Sequence, residues 1–213
     1  MSKNNVFTDT DFISNDGMMT SVWGPPLWHV LHTISFNYPV NPTDEQKQHY
    51  FDFYNNLQNI LPCKYCRDNL KNNFVKAPLV MKVFKNRETL SRYIYNLHEI
   101  VNTMLEKKSG LTFEDVRNRY EYFRSRCVEN PNKLNKIKTN KNYTGEKGCT
   151  EPLYGLKSKC ILNIVPRDDR LNSFKMDPKC ILKKKPIKKS SKKSSKKSSK
   201  KSSKKSSKKS SKK

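Results

Sequence analysis

Apolar residues recur three and four positions apart through the middle of the chain, which is the spacing of amphipathic helices. The pattern predicts helices over residues 26–36, 44–61, 64–75, 87–108 and 112–127. We find no convincing alternation of period two. The sequence therefore favours an all-α fold, a four-helix bundle with a short fifth helix.

Start and stop signals bound these predicted helices. Pro26 opens the first helix, because proline is tolerated in the first turn. Thr43 and Gln46 form a capping box ahead of the second. Gly110 is the expected C-cap glycine of the fourth helix, and Thr112 is the expected N-cap of the last.

Composition divides the chain into four parts. We predict a flexible N-terminal arm over residues 1–19 and a helical domain over residues 20–128. A poorly structured basic extension follows over 129–187, and a low-complexity Lys/Ser tail over 188–213. Serine and lysine cannot bury apolar surface, so we expect the tail to be disordered.

Charge is concentrated in that tail. The formal net charge is +25, and 14 of the lysines lie in residues 188–213 beside no acidic residue. Such a polycation is expected to bind nucleic acid or other polyanions without sequence preference and with strong salt dependence. Base-specific recognition is not expected, because the tail has no aromatic or amide side chains.

The sequence also indicates where in the cell the protein is expected. No run of about 18 apolar residues is present, so no membrane span is predicted. The polar start of the chain lacks the form of a secretory signal. We therefore expect a cytoplasmic protein that is not secreted. Its six cysteines are then expected to be catalytic, metal-binding or reduced.

Cys63 and Cys66 follow Pro62 at the predicted start of the third helix. First-turn N–H groups and the helix dipole favour a thiolate there. The spacing suits a redox dithiol, half of a zinc site or two buried thiols, and does not distinguish them. A second ligand pair at zinc-finger spacing is missing, so no metal site is predicted.

Four other residues lie on the core faces of two predicted helices. Trp28 and His32 share one face of the first, and His98 and Asn102 lie one turn apart on the fourth. Each is individually explained by packing. Together with the cysteine pair, they suggest a site for a planar cofactor between helices.

Three motifs carry a resemblance to a known family. They are Trp-Gly-Pro-Pro-Leu-Trp-His-Val-Leu-His at 23–32 with Tyr38-Pro39 behind it, Pro-Cys-Lys-Tyr-Cys at 62–66, and Leu-His-Glu-Ile-Val-Asn at 97–102. In this order and spacing they resemble the Erv/ALR family of FAD-linked sulfhydryl oxidases, over about residues 22–126. The versions in large DNA viruses look most similar.

The resemblance implies a helical bundle that binds FAD, usually as a homodimer. It implies that protein dithiols reduce a Cys63–Cys66 disulfide, Cys63 exchanging with the substrate and Cys66 facing the flavin. Molecular oxygen would then be reduced to hydrogen peroxide. The implied cofactor contacts are Gly24, Trp28, His32, Cys66, His98, Val101, Asn102, Lys107 and Tyr120.

Two positions depart from the family pattern. Glu99 stands where the family usually has asparagine, and Tyr95 stands where many members have a structural cysteine. We therefore expect one altered cofactor contact, and no disulfide between the cofactor-binding helix and the last helix. Cys127, Cys149, Cys160 and Cys180 form no close pair in sequence, so a relay disulfide and free thiols remain alternatives.

Two functions follow from these patterns. The first is a FAD-dependent thiol oxidase, located in the host cytoplasm, a virus factory or the virion if the protein is viral. The alternative is a basic nucleic-acid-binding protein whose cysteine pair is non-catalytic or binds zinc.

Overall fold

The computed structural model describes residues 6–127, 149–166, 169 and 176–182. The Lys/Ser tail and most of the basic extension lie outside the described residues. The helices are α1 (Asp9–Phe12), α2 (Thr20–Asn37), α3 (Asp44–Ile60), α4 (Lys64–Lys76), α5 (Arg87–Met104) and α6 (Phe113–Glu121). Two 3₁₀ turns, Met81–Lys85 and Pro178–Cys180, and two short strands, β1 (Ser125–Cys127) and β2 (Cys149–Pro152), complete the described elements.

The helical character of the fold is confirmed, and so is the capping box of α3. The backbone N–H of Gln46 donates to Thr43 Oγ1 at 3.2 Å, and the N–H of Thr43 donates to Gln46 Oε1 at 2.9 Å. Cys63 caps α4. The local signals at these two helix starts therefore act as the sequence indicates.

Helix α2 begins earlier than predicted, at Thr20 instead of residue 26, so that two prolines lie inside it. One turn precedes them, and the indole N–H of Trp23 stabilises that turn by donating to the Met18 carbonyl at 3.0 Å. A side-chain bond of this kind cannot be inferred from hydrophobic spacing, which explains the missed turn.

The end of α5 was also predicted wrongly. The helix ends at Met104, and Gly110 is not its C-cap. Glu106 adopts the left-handed conformation with φ +54°, and the Lys107 N–H donates to the Asn102 carbonyl at 2.8 Å. A non-glycine residue thus makes the reversal that the sequence assigned to Gly110.

After α6 the chain enters a ribbon that the hydrophobic pattern did not predict. Strand β1 pairs antiparallel with β2, and Cys127 lies opposite Cys149. Strands of three and four residues are too short for an alternating pattern to be recognised. The last helix therefore stops at Glu121, six residues before its predicted end.

The main core joins α2, α3, α4 and α5 with the 3₁₀ turn at Met81–Lys85. Two buried tyrosines cross it. The Tyr38 hydroxyl donates to the Phe84 carbonyl at 2.8 Å, and the Tyr54 hydroxyl donates to the Leu31 carbonyl at 2.9 Å. Burying a phenol is favourable when its hydroxyl is paired in this way.

A second, smaller core joins α6 to α2 and α5. The Tyr95 hydroxyl donates to the Leu111 carbonyl at 2.7 Å, and its ring meets Phe113 edge-on at 5.8 Å. The Arg92 guanidinium lies 4.0 Å from the centroid of the Phe113 ring. Helix α5 is thus joined to the start of α6 by ring packing, a cation–π contact and one hydrogen bond.

Among the described residues, no helix combines the length and the apolar character that a membrane crossing requires.

Candidate active site

The cysteine pair lies at the first turn of α4. Cys63 is the N-cap, and its Sγ accepts the backbone N–H of Cys66 at 3.3 Å. Both cysteines are free thiols that are half-buried, and Tyr65 between them is 77% exposed. The pair is therefore accessible to another thiol from the solvent side.

The two thiols have different acidities. The hydrogen bond from the Cys66 thiol lowers the pKa of Cys63, and the backbone N–H groups of Cys66 and Tyr65 and the Thr20 hydroxyl add to that effect. Burial and the neighbouring Cys63 raise the pKa of Cys66. The helix start therefore favours a thiolate at Cys63.

The end of the N-terminal arm lies against the loop that carries these cysteines. The Met18 N–H donates to the Pro62 carbonyl at 2.8 Å. A Cβ added at Gly17 would lie 3.2 Å from the Pro62 oxygen and 3.5 Å from Cys63 Cα, so glycine permits this close approach. Two residues after Met18, Thr20 places its Oγ1 3.4 Å from Cys66 Sγ. No spacing or motif in the sequence pointed to Thr20.

Helices α2 and α5 bring three of the predicted residues together. The rings of Trp28 and His98 are stacked at 4.0 Å with an interplanar angle of 4°. His32 Nε2 shares a hydrogen bond of 3.0 Å with His98 Nδ1. Trp28 packs against the same core cluster as Cys66. The aromatic cluster and the cysteine pair therefore border one core.

Both imidazoles are kept neutral by burial. Burial lowers the pKa of His32 to about 3, with smaller contributions from His98 and His29. Burial also lowers the pKa of His98 to about 4; Glu99 opposes that shift, and the charge of Lys107 adds to it. At neutral pH each imidazole therefore has one donor and one acceptor nitrogen.

Tyr120 of α6 extends this cluster. Its ring stacks on His32 at 5.4 Å and on Phe36 at 5.1 Å. Its hydroxyl lies 3.1 Å from His29 Nδ1. The last helix thus contributes an aromatic ring beside the imidazoles.

The other predicted contacts are more peripheral. Gly24 is buried in α2, where an added Cβ would lie 3.4 Å from Thr20 Cγ2. Val101 and Asn102 are half-buried, and Lys107 is exposed. The Asn102 amide donates to Glu99 Oε1 at 2.9 Å, so the departure at Glu99 changes the partner of a predicted cofactor residue.

This arrangement fits the FAD that the resemblance implies. A flavin needs planar groups to stack on and hydrogen-bond partners between helices. The rings of Trp28 and His98 supply the planar groups. His32 is 4% exposed, and its buried Nδ1 has no hydrogen-bond partner among the described residues. A bound ligand would satisfy that nitrogen, since buried polar atoms are rarely left unpaired.

No group of three or more His, Cys, Asp or Glu side chains in the described part of the chain is placed to hold a metal ion.

Comparison with known proteins identifies relatives. The profile of the Erv1 / Alr family matches residues 25–121. The probable FAD-linked sulfhydryl oxidase R368 of Acanthamoeba polyphaga mimivirus is 36% identical over 99 residues, which are 46% of this chain and 68% of that protein. The mitochondrial FAD-linked sulfhydryl oxidase ERV1 of Saccharomyces cerevisiae is 36% identical over 39% of this chain and 43% of its own length.

Among solved structures, the crystal structure of the yeast Erv1 core covers 56% of this chain and 94% of its own, with 24% identity and a TM-score of 0.45. The matched residues 25–121 contain both cysteines of the pair and every predicted cofactor contact except Gly24. On the strength of the family profile and the mimivirus relative, the chain belongs to the Erv1/Alr family.

Proposed function

We propose that this chain is a FAD-linked thiol oxidase that forms disulfides in protein substrates, with molecular oxygen as the electron acceptor. Its relatives are named as FAD-linked sulfhydryl oxidases. The observation that carries the proposal is the accessible Cys63–Cys66 pair, set at a helix start beside the core against which Trp28 packs. The relatives give no support to the alternative, a nucleic-acid-binding protein with an inert or zinc-bound pair.

In the proposed reaction, a substrate thiolate attacks Cys63 of the Cys63–Cys66 disulfide. The bond between the two sulfurs breaks, and Cys66 leaves as a thiolate. A second substrate thiolate then attacks the mixed disulfide, so that the substrate leaves as a disulfide and the pair holds two more electrons. The N-cap position favours Cys63 as the thiolate that is released in this second step.

Two groups of residues would hold FAD beside the pair. Trp28 and His98 offer stacking surface, and His32 offers its unpaired Nδ1. Tyr120, Asn102 and Lys107 lie around them. FAD bound there would supply the two-electron redox chemistry that links the reduced pair to molecular oxygen, with hydrogen peroxide as the product. The neutral imidazoles add no positive charge to this pocket.

The first test uses the Cys66→Ser variant of the full chain. We expect the purified protein to absorb near 450 nm, as flavoproteins do, and to consume oxygen with dithiothreitol. Cys66→Ser should lower oxygen consumption by more than about 100-fold, because the pair can no longer cycle, and should keep the bound flavin. The measurements are oxygen-electrode rates and a visible spectrum.

Cys160→Ser is the matched control, because Cys160 is an exposed free thiol. It should keep both the rate and the spectrum. A colourless parent protein, or a Cys66→Ser variant that turns over at the parent's rate, would contradict the proposed function.

The buried imidazoles predict a pH dependence of stability. The folded-state pKa of His98 is about 4, below the unfolded value of about 6.5. Between these values the unfolded chain takes up a proton that the folded chain does not, so stability falls as pH falls. His98→Gln should reduce the slope of unfolding free energy against pH between pH 4.5 and 6 by about 1 kcal/mol per pH unit. Chemical denaturation at several pH values measures it.

His49→Gln serves as the control, because the His49 side chain is 70% exposed. Its slope should equal that of the parent protein. An unchanged slope in His98→Gln would show that His98 is not held neutral in the folded protein.

We also infer a homodimer, which the resemblance implies. Val30 on α2 is 47% exposed, and Phe53 on α3 is 39% exposed, which leaves apolar surface on these two helices. Light scattering should give twice the chain mass of 25.0 kDa. Phe53→Asp should give the single-chain mass, whereas Val75→Asp on α4, where Val75 is 80% exposed, should not. A single-chain mass for the parent at micromolar concentration would refute the dimer.

We propose that the Lys/Ser tail tethers the oxidase to polyanions in the cytoplasm, such as the nucleic acid of a virus factory or virion. Its 14 lysines support this, as do the viral relatives. The association constant for duplex DNA should fall steeply with salt. The slope of its logarithm against the logarithm of salt concentration should be about −1 for each phosphate contact. A variant with these lysines changed to glutamine should lose that affinity in fluorescence titrations. Equal affinity of the two proteins would exclude the tail as the tether.

A further inference from the structure

The hydroxyl of Thr20 on α2 lies within hydrogen-bonding distance of the Cys66 sulfur on α4. Thr20 Oγ1 lies 3.4 Å from Cys66 Sγ, across 46 residues of sequence. This separation is within hydrogen-bonding range for sulfur. Thr20 is the first residue of α2, and Cys66 lies in the first turn of α4. The contact therefore joins the starts of two helices at one of the two redox sulfurs.

Backbone contacts keep Thr20 at this position. The Met18 N–H donates to the Pro62 carbonyl, and the Met18 carbonyl accepts the indole N–H of Trp23. Met18 is thus bound both to the cysteine loop and to the first turn of α2. Gly17 permits the approach to Pro62. One hydrogen bond therefore ties the segment before Thr20 to the cysteine loop, and a second ties it to α2, so the position of the hydroxyl does not depend on the Thr20 side chain alone.

We propose that the Thr20 hydroxyl donates a hydrogen bond to the Cys66 thiolate at the moment when a substrate thiolate opens the Cys63–Cys66 disulfide. In that step the new bond joins the substrate sulfur to Cys63, and the old bond between Cys63 and Cys66 breaks. The electron pair of the broken bond stays on Cys66. Thr20 keeps its proton and transfers none, so its contribution is to stabilise the leaving sulfur as an anion.

Cys66 needs such a partner because its other surroundings oppose the anion. Burial raises the pKa of Cys66, and so does the neighbouring Cys63. The groups that act in the other direction are the Thr20 hydroxyl and the more distant charge of Arg67. Cys63 and Arg67 both belong to the α4 start, so Thr20 is the contribution from α2. Leaving-group thiols with a lower pKa depart faster, so this contact should speed disulfide opening.

This inference rests on the proposed roles of the two cysteines, but its main test does not. The test measures the pKa of Cys66 in the full-length protein as purified, carrying Cys63→Ser, from the pH dependence of iodoacetamide alkylation at Cys66. Mass spectrometry of the Cys66 peptide separates it from the other cysteines. No turnover is needed for this readout.

Thr20→Val replaces the hydroxyl with a methyl group of similar size, and should raise the pKa of Cys66 by about one pH unit. Thr20→Ser keeps the hydroxyl and should leave the pKa of Cys66 within a few tenths of the parent value. Thr33→Val is the matched control on the same helix, because the Thr33 hydroxyl donates to the His29 carbonyl and not to a thiol. It should cause no shift.

Two results would overturn the inference. One is an unchanged pKa of Cys66 in Thr20→Val. The other is an equal shift in Thr20→Val and Thr20→Ser, which would assign the effect to packing of the side chain and not to the hydroxyl.

A second measurement restores Cys63 and follows the anaerobic opening of the disulfide by dithiothreitol. Thr20→Val should slow this step by up to about tenfold relative to Thr20→Ser, and equal rates would contradict the role as a donor to the leaving sulfur. If the parent protein neither binds flavin nor consumes oxygen, the proposed function fails, while a hydroxyl-dependent pKa of Cys66 would still establish the contact.

Discussion

The stacking of Trp28 on His98 is the contact on which the candidate site depends. It joins α2 to α5 at a ring separation of 4.0 Å, and the hydrogen bond between His32 and His98 fixes the rotation of both imidazoles. Because partial or full burial lowers the pKa of both imidazoles, they remain uncharged near neutral pH. The hydrogen bond joins residues 66 positions apart in sequence, so that two helices contribute to one neutral aromatic cluster.

A separate constraint sets the geometry of the sulfurs. Cys63 occupies the N-cap of α4, where backbone N–H groups face it, while Cys66 is turned toward the core. The two thiols consequently differ in acidity although they lie one helical turn apart. Such a difference suits a pair in which one sulfur exchanges with the solvent side and the other is protected by protein.

The sequence predicted the helices that carry the site, because hydrophobic spacing and capping residues are local signals. Thr43 and Thr112 both act as the expected N-caps. It did not predict that α2 begins at Thr20, or that Glu106 reverses the chain after α5. Hydrophobic spacing within one helix does not reveal the contacts responsible. The first is the hydrogen bond from the Trp23 indole to the Met18 carbonyl, and the second is the backbone hydrogen bond from Lys107 to Asn102.

The candidate site was predictable to a similar degree. Trp28, His32 and His98 lie in the motifs, Tyr120 is implied by the resemblance, and the fold brings their rings together. Thr20 was missed because nothing in its sequence surroundings marks it, and only the approach of Gly17 to Pro62 places it near a cysteine. Cysteine spacing does not show which thiol becomes the N-cap, so the sequence could not show which of the two sulfurs is the more acidic.

The joint between α5 and α6 has a consequence for an enzyme that works among thiols. At Tyr95 the two helices are held by a phenol, a carbonyl and the face of Phe113, and no sulfur takes part. A reductant strong enough to open every disulfide in the surroundings leaves this joint unchanged. The packing of α5 against α6 is therefore independent of the redox state of the thiols that the protein acts on.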